Sequence, residues 1–133
     1  MSTLKIVQQY YAHFNKRNWK AMLALLHPDV RHEPNQGDVR LGIDLFTAFL
    51  QNMDDSYEET LTDMVFFTEA TKSRVACEFI VEGVYKKGEE GFPEARNQKY
   101  TLPAASFLEV KDDKITRVTT YYNLPLWIKL VSA

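Results

Sequence analysis

The chain has 133 residues, 45% of them hydrophobic and 26% charged, with a formal charge of −2 at pH 7. That length suits one ordinary domain, the interspersed charges argue against a nucleic-acid surface, and no apolar run approaches the ~20 residues of a membrane span. The N-terminal MSTLKIVQQYY lacks a basic flank before an apolar stretch, so a cytoplasmic location is expected, and the lone Cys77 in VACEFIV reads as a small buried hydrophobe.

From Leu4 to Phe14 the helical period brings Ile6, Val7, Tyr10, Tyr11 and Phe14 into one arc. Tyr10 lies inside that arc, and a buried hydroxyl either finds a local partner or points into a cavity. Asn18 can cap a second helix built on Trp19, Met22, Leu23 and Leu26, with Pro28 ending it and His27 as a helix-end histidine. A short strand then runs from Val30. If Val30 faces the core, the two-residue period sends His32 inward and Arg31 and Glu33 outward. Pro34 and Gly37 break the strand, and a third helix spans about Ile43 to Met53.

After Asp54, Asp55 and Ser56 the pattern becomes strand. A strand from Thr60 to Phe67 turns at Ala70–Lys72 into RVACEFIVEGVY, whose Val75, Cys77, Phe79, Val81 and Tyr85 share a dry face. The charged run from Lys86 to Lys99 is a solvated hairpin loop or a lid over a site. Strands over Lys99–Val110 and Ile115–Asn123 follow, joined by KDDK, and Pro103 requires a local break in the ladder. The tail LPLWIKLV returns to helical spacing. The order predicts an α+β domain with three N-terminal helices over a curved antiparallel sheet.

This layout resembles the nuclear transport factor 2-like superfamily of cone-shaped domains, and within it the SnoaL-like, ketosteroid-isomerase-related members, over residues 1–133 as a single domain. The likeness is carried by VQQYYAHFNKRNWKAMLALLHPDV, VRHEPNQG, QKYTLPAASFLEV and KITRVTTYYNLPLWI. It implies a cystatin-like roll with a ligand cavity in the cone, and homodimers through the outer sheet face, to which Tyr85, Phe107, Leu126 and Trp127 could contribute. Ketosteroid isomerases use a carboxylate base, a tyrosine and a protonated aspartic acid. Tyr10 matches the tyrosine. Pro34 falls at the base position, which a one-residue shift would give to Glu33, and Ala105 stands where the aspartic acid would be. Losing one oxyanion donor costs about 10²–10³ in rate, which argues against an efficient ketosteroid isomerase.

The resulting expectation is cofactor-independent acid/base chemistry on a small hydrophobic carbonyl compound, of isomerase, cyclase or dehydratase type. His32, Tyr10 and Glu33 are the candidate catalytic groups, and Asn35, Ala105, Val118, Thr120, Tyr122 and Asn123 the candidate pocket. A noncatalytic binding protein for a hydrophobic metabolite is the alternative, with His32 then a structural histidine. The histidine and cysteine spacings suit no metal site, and no dinucleotide or phosphate-binding fingerprint occurs.

Overall fold

The Ser2 side chain accepts the Lys5 N–H, and from that cap helix α1 runs over Thr3–Asn15 with Ile6, Val7, Tyr10 and Tyr11 buried. The structure, a computed structural model, describes residues 1–132. Helix α2 (Trp19–Leu23) is capped by Asn18 and is followed by strands β1 (Leu26–Glu33) and β2 (Arg40–Leu41), then by helix α3 (Ile43–Ser56). Strands β3 (Tyr57–Thr68), β4 (Arg74–Tyr85), β5 (Gln98–Lys111) and β6 (Lys114–Tyr122) lead to helix α4 (Leu124–Ser132). Among the described residues no helix is long and apolar enough to cross a membrane.

All six strands form one curved, open sheet in the order β2-β1-β6-β5-β4-β3, with the helices packed on it, so the α+β class expected from the sequence holds. One pair departs from the antiparallel expectation, because β1 runs parallel to β6. That pairing also overrides the local reading of the second helix. Leu26 pairs with Ile115 and Leu25 accepts the Ile115 N–H, so strand pairing claims the residues assigned to the helix end. Pro28 does not end a helix. It lies where the β1 register shifts between Leu26 and Arg31, in an irregular stretch that needs no ladder bond from it. His27 is accordingly a strand residue whose Nδ1 accepts the Asp29 N–H at 3.0 Å.

Pro103 breaks nothing. It pairs with Ile80 in an unshifted β4–β5 register, and the β6 pairing begins only at Ala104, so on that side no strand is present to miss its N–H. The irregularities fall elsewhere. β3 carries an extra residue between Thr62 and Val65, where Asp63 takes φ +52°, and a second shift lies at Glu109/Val110.

The alternation of β4 places Val75, Cys77, Phe79, Val81 and Tyr85 in the core, as the sequence predicts. Tyr85 and Trp127 therefore cannot supply an outer dimerisation surface. Trp127 is buried against Tyr85 (ring centroids 4.9 Å apart), Phe92 (5.5 Å), Tyr57 and Tyr100 (both 5.9 Å), so α4 closes one end of the cone. On the outer face Phe107 and Tyr121 are exposed and meet edge to face at 5.7 Å.

Candidate functional site

Helices α1 and α3, the concave sheet face and α4 enclose a cavity of about 490 Å³. Its wall is mostly apolar, with Phe14, Met22, Leu61 and Leu102 among the lining groups, and polar atoms enter at a few places. One is Tyr10. Burial pushes its phenol well above the ordinary range, so it remains a neutral O–H donor, and no hydrogen bond joins that hydroxyl to another described residue. Its neighbour Tyr11 is committed, bonding Ser106 Oγ at 2.5 Å in a buried network that includes Cys77 Sγ, 3.0 Å from the same oxygen.

Val118, Thr120 and Tyr122 also line this cavity, all on the inward face of β6. Ala105 does not. Along β5 the inward positions are Leu102, Ala104, Ser106 and Leu108, so alternation turns Ala105 to the outer face beside Tyr121. Asn123 is also outside the cone, and its Oδ1 accepts the Leu126 N–H at the start of α4. Asn35, at φ +59°, donates from Nδ2 to the Thr120 carbonyl and pins the β1–β2 turn against β6.

His32 is inward and only 3% exposed, yet it is not part of the cavity wall. Its ring is covered by Phe49 (4.4 Å between centroids) and Phe46 (4.7 Å), and its Nδ1 is buried without a hydrogen-bond partner. Desolvation, helped by the Arg40 charge, lowers its pKa to about 4, so it is neutral at physiological pH. Glu33 faces the other way. It accepts from Thr119 Oγ1 at 2.5 Å and Arg31 Nε at 2.7 Å, with Arg117 3.8 Å away, and the Thr119 bond first among these holds its carboxyl below the usual range. A carboxylate so held belongs to the outer charge network that continues through Arg117 to Glu109. The structure thus puts Tyr10 on the cavity wall and leaves His32 and Glu33 out of it.

Three carboxylates that the sequence reading passed over do face the cavity, Glu59 of β3 and Glu89 and Glu90 of the β4–β5 loop. Tyr100 donates its hydroxyl to Glu59 Oε2 at 2.5 Å. Desolvation raises the Glu59 pKa, opposed by that bond and by the Arg17 charge. Glu89 accepts from the Tyr57 hydroxyl and from Asn52 Nδ2, which fastens the loop, expected in the first instance to be solvated, over the cone beside Phe92. The signal for Glu59 was available: counting back in twos from buried Leu61 reaches Glu59 and Tyr57 on one face. Among the described residues no group of histidine, cysteine and carboxylate side chains is arranged to hold a metal ion.

The model of the SnoaL-like domain family matches residues 7–118. The chain belongs to the SnoaL-like family. It is similar to a candidate polyketide cyclase of Xanthomonas campestris, at 48% identity over 96% of this chain and 95% of that one, with a TM-score of 0.93. A candidate polyketide cyclase of Pseudomonas putida is 44% identical over 98% of each chain, with a TM-score of 0.96. TerC, co-crystallised with polyporic acid, shares the fold at 20% identity over 98% of each chain and a TM-score of 0.79. No curated protein matches.

Proposed function

We propose that the cone is the reaction chamber of an enzyme that moves a proton on a small, largely apolar carbonyl compound, as an isomerase, cyclase or dehydratase does. The observation that carries this reading is the unpartnered Tyr10 hydroxyl on the wall of an apolar cavity. A neutral phenol there donates to a carbonyl oxygen, and the bond strengthens as that oxygen becomes an enolate in low dielectric. The candidate polyketide cyclases named above support the cyclase end of the range.

Conversion of cyclohex-3-enone to cyclohex-2-enone tests the reading without knowledge of the natural substrate. The parent is expected to accelerate it, and Tyr10→Phe to lower kcat by roughly 10²-fold while binding of 2-naphthol persists. Equal kcat in parent and variant would remove Tyr10 from the reaction. The separation of His32 and Glu33 from the cavity favours a second reading, a binding protein for a hydrophobic metabolite. It requires saturable 2-naphthol binding with no ketone turnover by the parent. A cytoplasmic homodimer paired through the outer face around Phe107 and Tyr121 belongs to either reading, and a monomer in sedimentation at micromolar concentration would remove that part.

A further inference from the structure

We propose that Glu59 is the proton acceptor of the cone, presented to the ligand by Tyr100 across a gap that Gly83 leaves in the sheet. The three residues are direct neighbours on adjoining strands: Glu59 pairs with Gly83, and Gly83 with Tyr100. A Cβ on Gly83 would stand 2.3 Å from Tyr100 Cζ and 2.5 Å from its hydroxyl oxygen, so the phenol ring lies over the space where a side chain would be. Only glycine in the middle strand lets the phenol cross it and reach the carboxylate. The hydroxyl takes one oxygen, Oε2, and among the described residues no side chain takes Oε1, which leaves that atom for a ligand in the cavity.

The carboxylate is also held in a fixed relation to Tyr10. Past the end of α1, Arg17 Nη2 donates to the Glu59 carbonyl at 3.2 Å, and Asn15 exchanges two hydrogen bonds of 2.9 Å with the Leu61 backbone. The helix that carries the phenol is thereby clamped to the strand that carries the acid. Fixed donors and acceptors on rigid elements are what a proton-transfer site requires. Burial shifts the Glu59 carboxyl upward from its ordinary value, against the opposing Tyr100 bond and Arg17 charge, which makes it a stronger base once ionised.

On a carbonyl substrate the ionised Glu59 takes a proton from the carbon beside the carbonyl. The C–H bond breaks, its electron pair becomes the enolate double bond, and the negative charge moves to the oxygen that Tyr10 contacts. In a β,γ-unsaturated ketone such as cyclohex-3-enone, the protonated acid then returns the proton to the γ carbon, the C=C bond moves into conjugation as the enolate collapses to the ketone, and Tyr10 keeps its own proton. This assignment rests on the reading of the cone as a proton-transfer chamber.

The probe is 5-nitrobenzisoxazole, in which removal of the ring C–H proton forms a nitrile as the N–O bond breaks to a phenolate. It needs a base and no carbonyl donor. The parent is expected to accelerate this elimination with a rate that rises through one ionisation above the ordinary carboxylate range. Glu59→Gln should lower the rate by roughly 10²-fold and Glu59→Asp should restore part of it. The groups facing Glu59 are Tyr100 of β5, Tyr122 of β6 and Arg17 beyond α1, and Glu89 and Glu90 of the β4–β5 loop face the same cavity. Because the Tyr100 bond lowers the Glu59 pKa, Tyr100→Phe should move the midpoint to higher pH, a shift that a merely structural tyrosine would not cause.

The assignment is overturned by a parent no faster than buffer, by a Glu59→Gln variant as fast as the parent, or by a midpoint in the ordinary range that Tyr100→Phe leaves unmoved. The parent's own midpoint serves as the readout if a variant no longer binds 2-naphthol. Elimination that depends on Glu59 without cyclohexenone turnover by the parent upholds the base and removes the carbonyl reading. Ketone turnover that survives Glu59→Gln does the reverse.

Discussion

His32 and Glu59 lie on opposite flanks of one sheet, and burial drives both toward their neutral forms, the imidazole down and the carboxyl up. They differ in what surrounds them. Phe46 and Phe49 of α3 cover the imidazole, its Nδ1 has no partner, and the nearby Arg40 charge adds to the cost of protonating it. Glu59 is open to the cavity, and Tyr100 and Arg17 partly stabilise its charged form. An inward titratable residue is therefore a site candidate only when its polar atoms reach space a ligand can occupy. Inwardness alone gives a core residue.

The sharpest way to break the Glu59 side of this contrast leaves Glu59 itself untouched. Gly83→Ala puts a methyl group where the Tyr100 ring lies, and Tyr100 is 4% exposed, with little room to retreat. Overpacking of that kind costs about 1–3 kcal/mol, and the displaced phenol also loses its bond to the carboxylate. Chemical denaturation should show a loss near the upper end of that range. The variant's elimination midpoint should move upward as in Tyr100→Phe. A fully stable variant with the parent's pH profile would mean that the gap over Gly83 does not position the phenol.

Much of this architecture was legible in the sequence because two periods carry it. The arc of Ile6, Val7, Tyr10 and Tyr11 and the alternation of β4 are local consequences of helix and strand geometry. Leu26 and Pro28 were misread because a partner almost ninety residues away decides their state: Leu26 meets Ile115 in a parallel pair that no local pattern announces. At the site, alternation correctly turned His32 inward but could not reveal the two phenylalanines above it. Glu59 was missed for a related reason. A strand read as starting at Thr60 stops the count back from Leu61 one residue short of Glu59, and the cross-strand row through Gly83 to Tyr100 shows what encloses it.

The His32 side predicts a smaller effect, visible in stability rather than rate. Its folded pKa of about 4 lies below the ordinary 6.5, so below pH 6.5 the unfolded chain binds this proton more readily than the folded one. Stability from this group is full above pH 6.5 and is lost as pH falls toward 4. The sign follows from the neutral form being the one that folds. For these two pKa values the loss between pH 7 and pH 5 is about 2 kcal/mol. Other groups titrate in the same window, so the measurement is the difference between parent and His32→Leu in urea unfolding at the two pH values. A leucine keeps apolar contact with Phe46 and Phe49 and has no proton to gain, so the parent should lose about 2 kcal/mol more than the variant on acidification. Parallel losses would mean that the imidazole is protonated in place, with its Nδ1 meeting solvent or a ligand. That outcome would make His32 resemble Glu59 and erase the distinction between the two flanks.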